Sequence, residues 1–365
     1  MDIPPDLEPA FELLGESGAQ VAAGALIGAV FGAAAQRSRF CLRAASVEFA
    51  DGRLGPRMAV WLLTFSTALF WTQLMARAGM LDLAEARVLA APGSISGAAL
   101  GGLMFGAGMI LARGCSGRLL VLAAGGNLRA LLSGLVFAVV AQMSLHGILA
   151  PLRQSLAELW TTGPTNVELS AWLGLGPDFG PALGAAFALA ALVIAARNRV
   201  SAMTLLAGSG VGFAVALGWA ATSAIAAQSF DPAPVKSLTF AGPSADALMF
   251  VLTPGARADF DIGLIPGVAL GAMAAAVWAR EWRWEGFEDV AGLRRRLIGA
   301  ALMGMGAMLA GGCAIGAGVT GTSALALTSW LALTCMWIGA VATRRLADRP
   351  DAAPETARGA ARAFP

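Results

Sequence analysis

The sequence predicts an all-α, polytopic membrane protein of about nine transmembrane helices plus short re-entrant helices, arranged as an inverted pseudo-two-fold repeat around an hourglass-shaped pathway. Three observations carry this. Hydrophobic residues make up 57% of the 365-residue chain and charged residues 13%, with a mean hydropathy of +0.70, whereas a soluble domain carries about 25% charge. Apolar stretches of about 17–25 residues, enough to span a bilayer, recur along the whole chain. A Gly-Cys motif appears once in each half. The net charge of +2 is too small to indicate a nucleic-acid partner, so the bilayer is the expected surrounding.

The nine stretches lie near 19–36, 58–78, 95–112, 128–149, 180–197, 202–220, 262–280, 294–311 and 326–343. They divide the chain into an acidic segment (1–18), a first repeat of four helices (19–149), a linker holding the fifth helix (150–201), a second repeat of four helices (202–343) and a tail (344–365). The first segment holds Asp2, Asp6, Glu8, Glu12 and Glu16 without any Lys or Arg. It therefore lacks the basic start of a secretory signal peptide.

The positive-inside rule gives the orientation. With the N-terminus outside and nine alternating helices, 20 of the 25 basic residues fall on the inner side. The expectation is a multi-pass protein of the bacterial inner membrane with a periplasmic N-terminus and a cytoplasmic tail. Trp282 and Trp284 flank an inner loop and read as interfacial anchors. His146, the only histidine, reads as a packed or interfacial residue. Asp231 and Lys236, in a Pro-rich stretch, read as solvated charges. Carboxylates are absent from the middle of the spans, which argues against proton- or metal-coupled chemistry. Paired and alternating glycines read as sites of close helix packing.

The decapeptides Gly106–Cys115 and Gly304–Cys313 share six positions, including Leu-Ala and the final Gly-Cys. The first four helices then match the last four, and the single helix 180–197 between them makes the two halves antiparallel, as in inverted-repeat transporters with central sites. The segments 113–127 and 312–325 are Gly-rich and small. Such backbone is tolerated at membrane depth only where protein covers it or where it lines a wet cavity. They are expected to dip in from opposite sides and leave a narrow waist.

Four cysteines are present. Cys41, Cys115 and Cys313 stand just past the ends of apolar helices, whereas Cys335 lies inside the last span and reads as structural. No C-x-x-C pair or adjacent ligand set indicates a metal site, and no cofactor is expected. A neutral thiol is a weak donor and a polarisable acceptor. Several weak sites in series suit conduction, which needs binding that is reversible. Arg37, Arg39, Arg43, Arg113 and Arg118 crowd the segments of Cys41 and Cys115 and offer guanidinium forks for oxyanions. The candidate pathway residues are Cys41, Cys115 and Cys313, with Arg37, Arg39 and Arg113 foremost among those partners and Gly114 and Gly312 as points of exposed backbone. Helix N-termini starting after the Gly-Cys turns add further donors.

The stretches Gln36-Arg-Ser-Arg-Phe-Cys41, Ala112-Arg-Gly-Cys115, Gly126-Asn-Leu-Arg129, Leu238–Asp246 and Gly311-Gly-Cys-Ala-Ile-Gly316 resemble the YeeE/YedE family of sulfur-transport membrane proteins. The resemblance implies nine spans, an hourglass, and uptake of thiosulfate or a similar sulfur oxyanion along Cys41, Cys115 and Cys313. On this reading a cytoplasmic sulfurtransferase is the expected recipient. The chain departs from the family pattern at Arg39, where small residues are common, and at Ala317-Gly318, near which a His is common. Two other classes compete with transport. A transmembrane thiol–disulfide electron-transfer protein would need cysteines that can pair, and a soft-metal channel would use the Cys and Met side chains.

Overall fold

The computed structural model describes residues 8–229, 234–254, 258–286 and 290–347. Its helices are α1 (Glu8–Ser38), α2 (Leu42–Ala50), α3 (Pro56–Arg77), α4 (Arg87–Ala90), α5 (Ile95–Leu111), α6 (Ser116–Ala124), α7 (Leu128–Leu145), α8 (Ala150–Glu158), α9 (Leu169–Trp172), α10 (Phe179–Arg197), α11 (Ala202–Gln228), α12 (Ala241–Leu252), α13 (Phe260–Trp278), α14 (Val290–Leu309) and α15 (Leu327–Ala347). A π-helical turn, Gly316–Gly321, precedes α15. Among the described residues, strand-like pairing is limited to isolated bridges.

Each of the nine predicted ranges is helical. Seven helical segments among the described residues are long and apolar enough to cross a membrane: Phe11–Ala50, Pro56–Arg77, Ile95–Ala124, Leu128–Leu145, Phe179–Arg197, Ala202–Gln228 and Phe260–Trp278. The other two ranges are α14 and α15, which are 20 and 21 residues long. Arg294, Arg295 and Arg296 lower the hydropathy of α14. Thr328, Ser329, Trp330 and the terminal Arg344 and Arg345 do the same for α15. The Gly-rich segments 113–127 and 312–325 form the short α6 and the π-helical turn. Two further short helices, α2 and α12, occupy stretches that the sequence gives as connections.

Glycine sets the packing. Gly24, Gly28 and Gly32 of α1 face α13, and Gly263, Gly267 and Gly271 of α13 face α1. A Cβ added at Gly267 would lie 2.3 Å from the Ala25 carbonyl oxygen, and one at Gly28 would lie 2.6 Å from that of Leu264. The backbones thus touch, as the small-residue spacing predicts. On α5, Gly101 and Gly108 meet α14 at Gly306 and Gly299, while Gly102 and Gly106 meet α15. Helix α3 packs on α10 and α11, α1 also on α11, and α7 on α14.

Polar contacts gather at the two ends of the bundle. At one end Arg39 pairs with Glu281, Arg129 with Glu285 and Arg344 with Asp51. At the other, Arg77 pairs with Asp178, and Ser229 bonds Glu16. Between them lies a core of fully buried rings that includes Phe31, Phe105, Phe137, Trp219, Phe240 and Phe260.

Candidate functional site: three cysteines at helix breaks

The three cysteines share one backbone setting. Each stands two residues after a residue in the left-handed region: Arg39 (φ 52), Arg113 (φ 61) and Gly311 (φ 76). A left-handed residue ends a helix and turns the chain away, and the following amide reaches back to the helix carbonyls. The Gly114 amide bonds the Met109 carbonyl at 3.2 Å, and the Gly312 amide bonds that of Ala307 at 2.9 Å. The chain then runs extended. Cys41 (φ −166, ψ 119) begins α2, and Cys115 (φ −81, ψ 167) begins α6. Gly312 admits no side chain, since a Cβ there would lie 2.6 Å from the Ala317 nitrogen. Gly114 is less constrained, its nearest obstacle being the flexible end of Leu119 at 3.2 Å.

The thiols of Cys41 and Cys115 are neighbours close enough to share a hydrogen bond, and Arg43 and Arg118 act on them. Cys115 is buried and Cys41 half-buried. Cys313 is fully buried. Its sulfur accepts the Phe240 amide at 3.4 Å and the Gly316 amide at 3.5 Å, and lies 4.0 Å from the Thr239 hydroxyl. Phe240 joins the two groups. Its ring packs on Phe31, with centroids 5.1 Å apart, and lies against Gly117, where a Cβ would come within 3.1 Å of it. Cys335 lies elsewhere, in α15 against Gly102.

A pocket of about 200 Å³ is lined by Phe31, Ala35, Phe40, Cys115, Gly117, Arg118, Val121 and Ile315. None of it is wide enough for a water molecule. Two polar atoms on the first turn of α6, Ser116 Oγ and Arg118 Nη1, are buried without a hydrogen-bond partner.

Sequence reasoning had selected Arg37, Arg39 and Arg113. All three are exposed and stand outside the pocket lining, Arg39 pairing with Glu281 at 3.3 Å. The guanidinium that reaches the pocket is that of Arg118, another of the five arginines (37, 39, 43, 113 and 118) that crowd the Cys41 and Cys115 segments. Its position three residues after Cys115 puts both on one face of α6, which is the signal that was open to reading. Ser116 and Phe240 carried no comparable signal.

Lys236 corrects a second expectation. It is not solvated: its side chain is 11% exposed, and Nζ donates to Asp259 at 2.6 Å and to Asp261 at 2.7 Å. Asp231 lies outside the described residues. Burial opposes the lysine charge, but the carboxylates of Asp261 and Asp259 outweigh it and hold the group above its ordinary value of 10.5. The next four residues, 237–240, are fastened to the core. Ser237 donates to the Val215 carbonyl at 2.6 Å, and the Leu238 carbonyl accepts Thr320 at 2.6 Å. This segment presents the Phe240 amide to Cys313.

Seven apolar helical segments of membrane-crossing length among the described residues, with thiols at helix breaks between them, define a polytopic membrane protein. Residues 37–342 match the family described as sulphur transport, and the chain belongs to that family, YeeE/YedE. It is 28% identical over 332 residues to a protein of Spirochaeta thermophila named thiosulfate transporter TsuA, covering 85% of this chain and 93% of the relative. It is 24% identical over 341 residues to the Escherichia coli protein of the same name, covering 87% and 92% respectively.

Proposed function

We propose that this protein carries thiosulfate, or a closely related sulfur oxyanion, across the bacterial inner membrane into the cytoplasm. The observation that carries the reading is the neighbouring Cys41 and Cys115 thiols beside Arg118, with Cys313 reached across Phe240. The anion enters on the side of Cys313, exchanges weak hydrogen bonds with one thiol after another, and leaves on the side of Cys41, where it is passed to a cytoplasmic sulfurtransferase. Gly114 and Gly312 keep the backbone open at the two breaks. Arg37, Arg39 and Arg113, exposed on the basic end, draw anions into the vestibule and place that end in the cytoplasm, with the N-terminus periplasmic.

All nine helices then cross the membrane, and the halves 19–149 and 202–343 form an inverted repeat. The helix pairing supports this. If α1, α3, α5 and α7 correspond to α11, α13, α14 and α15, the packing of α1 on α13 has its counterpart in α11 on α3. The packing of α5 on α15 likewise has its counterpart in α14 on α7. Arg113 and Gly311 fall at matching positions with matching backbone. Family membership favours transport over thiol–disulfide electron transfer.

The test is uptake of labelled thiosulfate by proteoliposomes containing wild type and the variants C41A, C115A and C313A. Each substitution is expected to lower the rate at least tenfold. Wild-type rates in all three would sink the thiol pathway.

A further inference from the structure

We propose that the first turn of α6 is an oxyanion seat, in which Arg118 Nη1, Ser116 Oγ and the leading amides of the helix hold the oxygen-bearing end of the substrate. The inference rests on the transport reading above and assigns which end of the substrate faces which residues.

The starting point is a cation without a carboxylate partner among the described residues. Arg118 lines the pocket with Nη1 buried and unpartnered, and it forms no ion pair. The neighbours that favour its charge are the Cys41 and Cys115 thiols, whereas Arg39 and Arg57 carry the same sign. A buried guanidinium is ordinarily paired, because removing it from water without an anion is unfavourable. Ser116, 6% exposed, carries a second orphan on the same turn.

The backbone adds to this. The first helical bond of α6 is that of the Leu119 amide to the Cys115 carbonyl, 2.9 Å, and no side chain caps the helix. The amides of Ser116 and Gly117 precede that bond and point with the positive end of the helix dipole.

The rest of the pocket cannot satisfy oxygens. Phe31, Ala35, Phe40, Val121 and Ile315 offer carbon only. A ligand fitting both parts has charged, bidentate oxygens at one end, which suit an arginine fork, and a weakly hydrated, polarisable atom at the other. A sulfonyl group bearing a terminal sulfur has this form. The oxygens lie on Arg118 and Ser116, and the terminal sulfur lies toward the Cys115 and Cys41 thiols.

The experiment measures labelled-thiosulfate uptake by R118Q, R118K, S116A and wild type in proteoliposomes, with sulfate and thiocyanate as competitors. Sulfate offers oxygens without a soft end, and thiocyanate the reverse. Because Nη1 has no protein partner, R118Q is expected to melt within a few degrees of wild type. Expected are a KM raised tenfold or more in R118Q, a smaller rise in R118K and a rise of about fivefold in S116A, the equivalent of one neutral hydrogen bond. Sulfate inhibition should disappear in R118Q while thiocyanate inhibition persists. Wild-type KM and unchanged sulfate inhibition in R118Q, or in R118K and S116A should R118Q fail to fold, would overturn the seat. If the cysteine variants transport normally while R118Q does not, the thiol pathway fails and the seat stands. If C115A is inactive while R118Q is normal, the reverse holds.

Discussion

Replacing Lys236 by Met removes the cation from a site where two carboxylates converge. The two partners respond differently. Asp259 is 39% exposed, so water compensates it, and its share of the pair is about 0–1 kcal/mol. Asp261 is 6% exposed, and its second oxygen has no hydrogen-bond partner. Left alone it is an uncompensated buried charge, and breaking such a pair costs about 3–5 kcal/mol. At roughly 2–4 °C per kcal/mol for a mid-sized domain, and less for a longer chain, the melting temperature in detergent should fall by about 5 °C or more. The damage reaches the site, because Lys236 anchors the segment that offers the Phe240 amide to Cys313, so uptake should fall as well. K236M/D261N should recover most of the lost stability and K236M/D259N little. In wild type the lysine contribution is fully present below the ordinary lysine value of 10.5 and is lost only as pH rises through the higher folded-state value. The K236M deficit should therefore persist undiminished as pH rises to about 9. A K236M protein melting within 1 °C of wild type, or rescued equally by D259N and D261N, would refute the assignment of the cost to Asp261.

Gly267→Val should separate α1 from α13, since its Cβ meets the Ala25 carbonyl at 2.3 Å. A loss of at least about 1–3 kcal/mol should appear as a lower melting temperature, whereas Gly134→Val, with nothing within 4 Å, should leave it nearly unchanged. Cys335→Ala should keep wild-type uptake and cost about 1 kcal/mol or less, as a small buried hydrophobe would; an uptake defect would bring Cys335 into the pathway. Cys115→Ser should raise thermal stability by about 1 kcal/mol through a new helix cap while lowering uptake, and a variant that gains stability with full uptake would show that the α6 amides are not needed.

The sequence was most readable where length and composition decide structure. All nine apolar ranges are helical because a bilayer-length run of Leu, Ala, Val and Ile has few alternatives. Helices α2 and α12 escaped notice because they are short and mixed in character, and their form depends on what they pack against. The cysteines were legible because Cys is rare in this chain and follows a recognisable Gly- or Arg-marked helix end. The role of Lys236 was not, because it depends on tertiary partners. Twenty-five residues separate Lys236 from Asp261, and in a Pro-rich stretch an isolated lysine reads as solvated. For Arg118 the decisive feature is a missing partner, which composition does not record.

The choice of sulfur at these helix breaks follows from how the other helices begin. Ser94, Asn127, Ser201 and Asp259 each head a helix and accept a hydrogen bond from its first turn. Their oxygens use up donors that would otherwise be free. Cys41 and Cys115 head α2 and α6 in the same extended conformation, and neither makes a side-chain cap. A thiol is a weak acceptor: Cys313 takes the Gly316 amide only at 3.5 Å, so donors at such helix starts are held loosely and can be exchanged for the oxygens of an anion. A serine in the same place would close the helix start, and an aspartate would also repel an anion. Cysteine fills the position, holds the amides only weakly and adds a polarisable surface for a sulfur atom. The same residue therefore supports both halves of recognition, donors for oxygen and a soft contact for sulfur, without placing a fixed charge where an anion must also be released.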